Sequence, residues 1–144
     1  MDLIYRPARE ADQTACLSLL GELGGAGQTP SEVMAPVFMT LLTGNRGEVI
    51  VAEEAGQLLG LASVSYNLAM RYGGEYCQLE ELIVSAAARG KNLGAGLVNA
   101  TLQRARERGC AEYGLYLVEA TRHNQGFYEK LGFAVVGAEM RMPL

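Results

Sequence analysis

The stretch Leu79-Glu80-Glu81-Leu82-Ile83-Val84-Ser85-Ala86-Ala87-Ala88-Arg89-Gly90-Lys91-Asn92-Leu93-Gly94-Ala95-Gly96-Leu97 decides how the chain is read. It opens as a strand. Leu82, Ile83 and Val84 form a short apolar run with β-branched residues, the pattern of a buried strand. Glu80 and Glu81 stand inside that run, and a carboxylate in a buried strand costs free energy unless it is paired, hydrated or used. Ser85 ends the strand. Arg89, Gly90, Lys91, Asn92, Gly94 and Gly96 follow, and Leu97, Val98, Ala100, Thr101, Leu102 and Ala105 then recur at helical spacing.

A strand, a glycine-rich turn and a helix, in that order, make an anion site. The first backbone N–H groups of a helix have no partner, and the helix dipole adds partial positive charge there. Glycines let a backbone approach a phosphate closely, and Arg89 and Lys91 add full charges. The stretch suits a phosphorylated ligand, most simply a pyrophosphate. The competing reading is a surface loop that happens to hold glycines. The stretch is not a P-loop, because the Gly-Lys-Ser/Thr ending is missing. It fits the dinucleotide fingerprint poorly, since Gly94-Ala95-Gly96 lacks the third glycine in register.

Working outward, 144 residues suit one domain spanning 1–144, large enough to bury its own core. A net charge of −4 argues against general nucleic-acid binding. No apolar run is long enough to span a membrane, and the N-terminus lacks a basic-then-apolar signal pattern. The expected compartment is the cytoplasm. Cys16, Cys77 and Cys110 match neither a disulfide framework nor a metal spacing, so they read as buried free thiols and no metal site is expected.

Residues 3–6 read as a strand that Pro7 ends. Residues 10–23 are amphipathic and helical. Gly24, Gly25 and Gly27 form a loop. Thr29-Pro30 reads as an N-cap with proline at the first helical position, opening a helix through Val33, Val37 and Leu41. Residues 48–54 and 57–70 form an antiparallel hairpin about Ala55-Gly56. Arg71-Tyr72-Gly73-Gly74 is a turn, and 75–84 returns as the strand quoted above. A helix over about 94–108 ends at Gly109 as C-cap. Residues 113–118 are a strand, 124–131 a short helix, and 133–136 and 139–142 the last strands. The mixture of an antiparallel hairpin and a strand–helix–strand unit gives an α/β (α+β) fold, with a mixed central sheet and helices on both faces.

Two motifs and this element order resemble the GNAT superfamily of acyl-CoA-dependent N-acyltransferases. Arg89-Gly90-Lys91-Asn92-Leu93-Gly94-Ala95 is similar to the family's Arg/Gln-x-x-Gly-x-Gly/Ala loop. Asn92 stands where the first glycine usually does, and asparagine tolerates positive φ better than other non-glycine residues. Asn124-Gln125-Gly126-Phe127-Tyr128-Glu129-Lys130-Leu131-Gly132-Phe133 looks like the family's closing signature. The resemblance covers the C-terminal half closely and the N-terminal half in element order. Within the superfamily, Glu80-Glu81, Glu119 and Gly137-Ala138-Glu139-Met140 are similar to glucosamine-6-phosphate N-acetyltransferases. Arg122-His123 and the chain length are similar to aminoalkylphosphonate N-acetyltransferases. Neither names an acceptor.

The resemblance implies an N-acetyltransferase that moves an acetyl group from acetyl-CoA to a primary amine of a small molecule by direct attack. It places the pyrophosphate of coenzyme A on Arg89, Gly90, Lys91, Asn92, Leu93, Gly94, Ala95 and Gly96. The pantetheine would pair like an added strand with Ile83 and Val84, and a backbone N–H near Leu82 and Ile83 would face the thioester oxygen. Tyr128 resembles the family tyrosine that protonates the leaving thiolate, with Phe127 beside it. Asn124 would bond the pantetheine amides, or cap a helix. Lys130 would touch the phosphates, or stand free in solvent.

Glu80 and Glu81 point to opposite faces of a regular strand, so one of them at most faces the substrate as general base unless a bulge intervenes. Glu119 would bind the amine or share the base role, or be a surface carboxylate. His123 reads as a capping or surface residue. A homodimer through the last strand is expected, because an exposed sheet edge invites pairing. Two other readings remain: a catalytically weak acyl-CoA-binding protein of the same fold, and a phosphate-binding regulatory module that would not need Tyr128.

Overall fold

The computed structural model describes residues 2–23 and 29–144. The expected glycine loop at 24–28 lies outside them. Five strands form one mixed sheet in the order β1-β2-β3-β4-β5: β1 (Leu3–Pro7), β2 (Gly47–Glu54), β3 (Gln57–Ala69), β4 (Gly74–Val84) and β5 (Tyr113–Leu115). The first four run antiparallel, and β5 lies parallel to β4. The hairpin register pairs Glu54 with Gln57, so the chain reverses at Ala55 (φ 54°) and Gly56 (φ 79°). Two positive φ values give a turn whose twist matches the flanking strands.

The sheet is covered on both faces. Helix α3 (Leu93–Arg108) lays Leu97, Val98 and Ala105 on Ile50, Ala52, Ala62, Val64, Cys77 and Leu79. Helices α1 (Gln13–Gly21) and α2 (Ser31–Leu41) cover the opposite face, with Cys16, Leu19 and Phe38 against Val49, Val51, Leu61 and Ile83. Strand alternation sends Leu61 to one side and Ala62 to the other. Each face therefore has its own apolar cluster.

Several boundaries move. Residues 10–12 form a 3-10 turn before α1, and Pro30, not Thr29, occupies the N-cap position of α2. The strand expected over 113–118 stops at Leu115. The reason is in β4. Ser63 pairs with Glu81 and Val64 with Leu79, so Glu80 is an extra residue, a β-bulge. The pairing of β5 covers Cys77, Gln78 and Leu79 and ends where the bulge begins, as a local break in the ladder requires.

The strands expected over 133–136 and 139–142 are not formed; residues 133–144 carry no regular structure. A strand needs a partner for its N–H and C=O groups. This segment finds none in the sheet, and it leaves Val136 and Met140 97% and 94% exposed. Its anchors are side chains: the Arg141 guanidinium lies over the Tyr116 ring at 4.8 Å and pairs with Glu139. Helix α4 (Gln125–Lys130) precedes it, after a 3-10 turn over Glu119–Asn124.

Candidate active site

The bulge at Glu80 settles the orientation of the two glutamates. Past the extra residue the strand's parity is shifted, so both carboxylates reach the same face. The Ser63 hydroxyl donates to Glu81, and the Ser65 hydroxyl donates to Glu80 at 2.5 Å. Ser63 and Ser65 are two residues apart on β3 and share a side. That side is the one α1 and α2 cover. The expectation of opposite faces held for a regular strand and fails here because the ladder is irregular.

The two environments differ. Glu80 is exposed, whereas Glu81 is half-buried. Burial pushes the Glu81 carboxyl above the usual carboxylate range, the Ser63 hydrogen bond pulls it back in part, and the neighbouring Glu80 charge raises it again. Glu81 and Ser63 form the polar floor of a cavity of about 320 Å³, walled by carbon from Leu17, Leu20, Met34, Val37, Phe38 and Leu61. Cys16 also lines it, with its thiol pushed up to about 12 by burial, so it stays protonated and is no nucleophile at neutral pH.

On its other side β4 is open. Beyond Leu79, residues 80–84 have no strand partner toward β5 among the described residues. The Ser85 N–H donates to the Leu59 carbonyl on β3 at 2.8 Å. Alternation along an antiparallel strand then turns the N–H groups of Leu82 and Val84 toward the open side. An extended chain with carbonyl groups can pair there. Ile83 itself points its side chain into the α1/α2 cluster.

The turn after β4 leads to the N-terminus of α3. Gly90 has φ 90° and Asn92 φ 60°, so asparagine does adopt the left-handed conformation its motif position requires. Asn92 is the N-cap of α3, yet its side chain makes no capping bond. The N–H groups of Leu93, Gly94 and Ala95 are thus free of a capping side chain and available to an anion. Arg89 is exposed nearby. Lys91 pairs with Glu54 at 3.2 Å.

Two glycines of the motif have a different reason from the one the sequence suggested. A Cβ on Gly96 would lie 2.0 Å from the Tyr5 hydroxyl oxygen, so Gly96 lets α3 sit on the β1 ring. Its N–H is spent on the Asn92 carbonyl. A Cβ on Gly94 would lie 3.3 Å from the Phe127 ring, so this glycine admits α4. Leu93 contributes a fully buried side chain, and only its backbone is available to a ligand.

Tyr128 sits on the opposite face of the sheet from Glu81. It packs with Phe127 and Phe133 against the α3-side cluster, its ring 5.0 Å and 5.9 Å from theirs in edge-to-face contacts. Burial raises its phenol above the ordinary value, which keeps the proton on the oxygen. Asn124 is the N-cap of α4 without a side-chain capping bond, leaving its amide unengaged by that helix. Lys130 is exposed at the end of α4.

Glu119 is a surface carboxylate. Its side chain is 87% exposed and pairs with Arg122 at 3.3 Å on the 3-10 turn that also carries exposed His123. Ser63 and the apolar wall from α1 and α2 escaped sequence reading. Only the alternation of β3, read together with its register to β4, would have placed Ser63 beside Glu81.

The chain has relatives. The acetyltransferase (GNAT) family matches residues 19–133. The chain belongs to this family. It is a GNAT acyltransferase with the family's mixed sheet and two covered faces. Over its full length it is 28% identical to a glucosamine 6-phosphate N-acetyltransferase of Trypanosoma brucei brucei, spanning 97% of that protein. It is 32% identical to glucosamine 6-phosphate N-acetyltransferase 1 of Oryza sativa subsp. japonica, over 94% of this chain and 83% of that one. Among solved structures, an acetyltransferase from Clostridium acetobutylicum described with acetyl-CoA superposes with a TM-score of 0.83 at 17% identity, covering 99% of this chain and 96% of that one. That likeness concerns the fold.

Proposed function

We propose that this GNAT protein transfers the acetyl group of acetyl-CoA to a primary amine of a small molecule by direct attack. One observation carries the reading: the open edge of β4, with Glu81 on one face of the sheet and Tyr128 on the other. The pantetheine arm extends along residues 80–84, taking a hydrogen bond from the N–H of Val84, which leaves the N–H of Leu82 for the thioester oxygen. The pyrophosphate lies on the turn from Arg89 to Ala95 with Lys130 as a further contact, and the Asn124 amide bonds the pantetheine amides.

The chemistry follows from the two flanking groups. An ammonium entering the cavity gives a proton to Glu81, and a carboxyl with a raised pKa is a better-matched base near neutral pH. The freed lone pair attacks the thioester carbon. The C–N bond forms, and charge builds on the carbonyl oxygen, where an outward N–H such as that of Leu82 stabilises it. The C–S bond then breaks and the thiolate takes the Tyr128 phenol proton. The amine nitrogen loses its second proton to solvent, Glu81 releases the first one there as well, and solvent reprotonates Tyr128. The products are the amide and coenzyme A.

The named activities of the relatives make glucosamine 6-phosphate the first acceptor to test. The exposed apolar side chains of residues 133–144 suit cover by a second copy, which makes a homodimer the assembly to look for, in a cytoplasmic setting. Single-turnover transfer from labelled acetyl-CoA to an amine panel is the deciding measurement. Binding of acetyl-CoA with no transfer to any amine would leave a weak acyl-CoA-binding protein instead.

A further inference from the structure

The acetyl-transfer reading leaves the acceptor open, and the cavity beneath Glu81 narrows it. Both helices over this cavity lie within residues 10–45, a stretch whose sequence has no lysine, arginine or histidine. It carries Glu10, Asp12, Glu22 and Glu32 instead. From the sheet, the cavity receives Val49, Leu61, Ser63 and Glu81. Among the described residues it therefore has one carboxylate, two hydroxyls (Ser63 and Thr29) and otherwise carbon or sulfur.

This lining discriminates by charge. A phosphate group in the cavity would be desolvated beside a carboxylate with no cation to pair it, which is strongly unfavourable. An ammonium would meet a partner of opposite charge, and a hydrocarbon body would meet hydrocarbon. A second, polar groove lies between Arg71, Tyr76, Gln78, Gly114 and Arg141. Arg141 pairs there with Glu139, Arg71 stacks on Tyr72 and Tyr76 and keeps its charge, and Glu112 adds a further carboxylate; none of these residues lines the cavity beneath Glu81.

We propose that the acceptor is a compact apolar primary amine, alkyl or arylalkyl and without phosphate. It enters with its hydrocarbon against Leu20, Val37 and Phe38 and its nitrogen at Glu81, next to the open edge of β4. The proposal rests on the acetyl-transfer reading for its chemistry, but the cavity's preference is a property of binding and is measurable without turnover.

The test is a calorimetric and kinetic series on the full chain with coenzyme A or acetyl-CoA present, using propylamine to hexylamine, phenethylamine and glucosamine 6-phosphate. Each buried methylene should tighten binding and raise kcat/KM about fourfold until the cavity is full. The best apolar amine should bind at least tenfold more tightly than glucosamine 6-phosphate. Equal or tighter binding of the sugar phosphate, or no dependence on chain length, overturns the proposal. In Val37→Lys, a fixed cation at the half-exposed wall should weaken hexylamine at least tenfold, while the melting shift given by acetyl-CoA persists as a control for folding. Unchanged hexylamine affinity in that variant also overturns it. Failure of the acetyl-transfer reading looks different: acetyl-CoA gives no melting shift, or no amine is acetylated, and the calorimetric ranking of the amines still decides the cavity's preference.

Discussion

Ser63 and Glu81 are direct cross-strand partners, and the serine hydroxyl donates to a carboxylate that burial holds above its ordinary pKa. The pairing keeps a costly group in place on the floor of an apolar cavity. It also distinguishes Glu81 from Glu80, whose bulged position leaves it in solvent.

Glu81→Gln is expected to lower kcat/KM by roughly 10²-fold or more, within the range for general base catalysis, whereas Glu80→Gln should change it by only a few-fold. Activity of the wild type should rise with pH through the raised Glu81 ionisation, and Glu81→Gln should lose that limb. Steady-state kinetics from pH 5 to 9 checks this. If both variants keep wild-type profiles, the base lies elsewhere.

The same carboxyl makes a stability prediction. A group whose folded pKa lies above its unfolded value binds more protons in the folded state. Its contribution is fully present below the unfolded pKa, the ordinary glutamate range, and is lost as pH rises through the elevated folded pKa. Glu81→Gln removes that ionisation penalty. Its Tm should therefore match or exceed wild type at pH 8, with the advantage fading toward pH 4. A Tm deficit at pH 8 that is larger than at pH 4 contradicts the sign.

Tyr128→Phe should reduce kcat about 10²-fold if the phenol protonates the departing thiolate. Acetyl-CoA affinity should scarcely change, because the ring contacts with Phe127 and Phe133 survive. A variant with wild-type kcat in single-turnover experiments would assign the proton to solvent.

At the start of α3, Gly96→Ala is expected to destabilise the fold by about 1–3 kcal/mol, because its Cβ overlaps the Tyr5 ring. The penalty should shrink in a Tyr5→Ala background, giving a coupling that a double-mutant cycle reads by denaturant unfolding. Additive effects would mean the ring moves aside freely. By contrast, Asn92→Gly should retain the loop, since φ at 92 is positive, and acetyl-CoA affinity should hold within a few-fold.

Light scattering at micromolar concentration is expected to return a dimer mass. Removal of residues 139–144, with Met140, Met142 and Leu144 exposed in the single chain, should shift the distribution to monomer. A full-length chain that stays monomeric at every concentration removes the proposed interface.

The sequence by itself determined the local elements. Apolar periodicity marked α3 and the hairpin of β2 and β3, glycine and asparagine marked the left-handed turn at 90–92, and the motif around Phe127-Tyr128 marked α4. The periodicities depend on neighbours along the chain, where spacing is information enough; the asparagine at 92 and the Phe127-Tyr128 motif were legible through their resemblance to the family's two signatures. Tertiary structure alone decided which face Glu80 and Glu81 share, because that depends on one extra residue in the register between β3 and β4. It decided that Gly94 and Gly96 admit Phe127 and Tyr5, contacts between elements far apart in sequence. It also decided that 133–144 is not strand: its apolar alternation is a strand pattern, but a strand exists only where another backbone accepts its hydrogen bonds, and pattern along one chain says nothing about that.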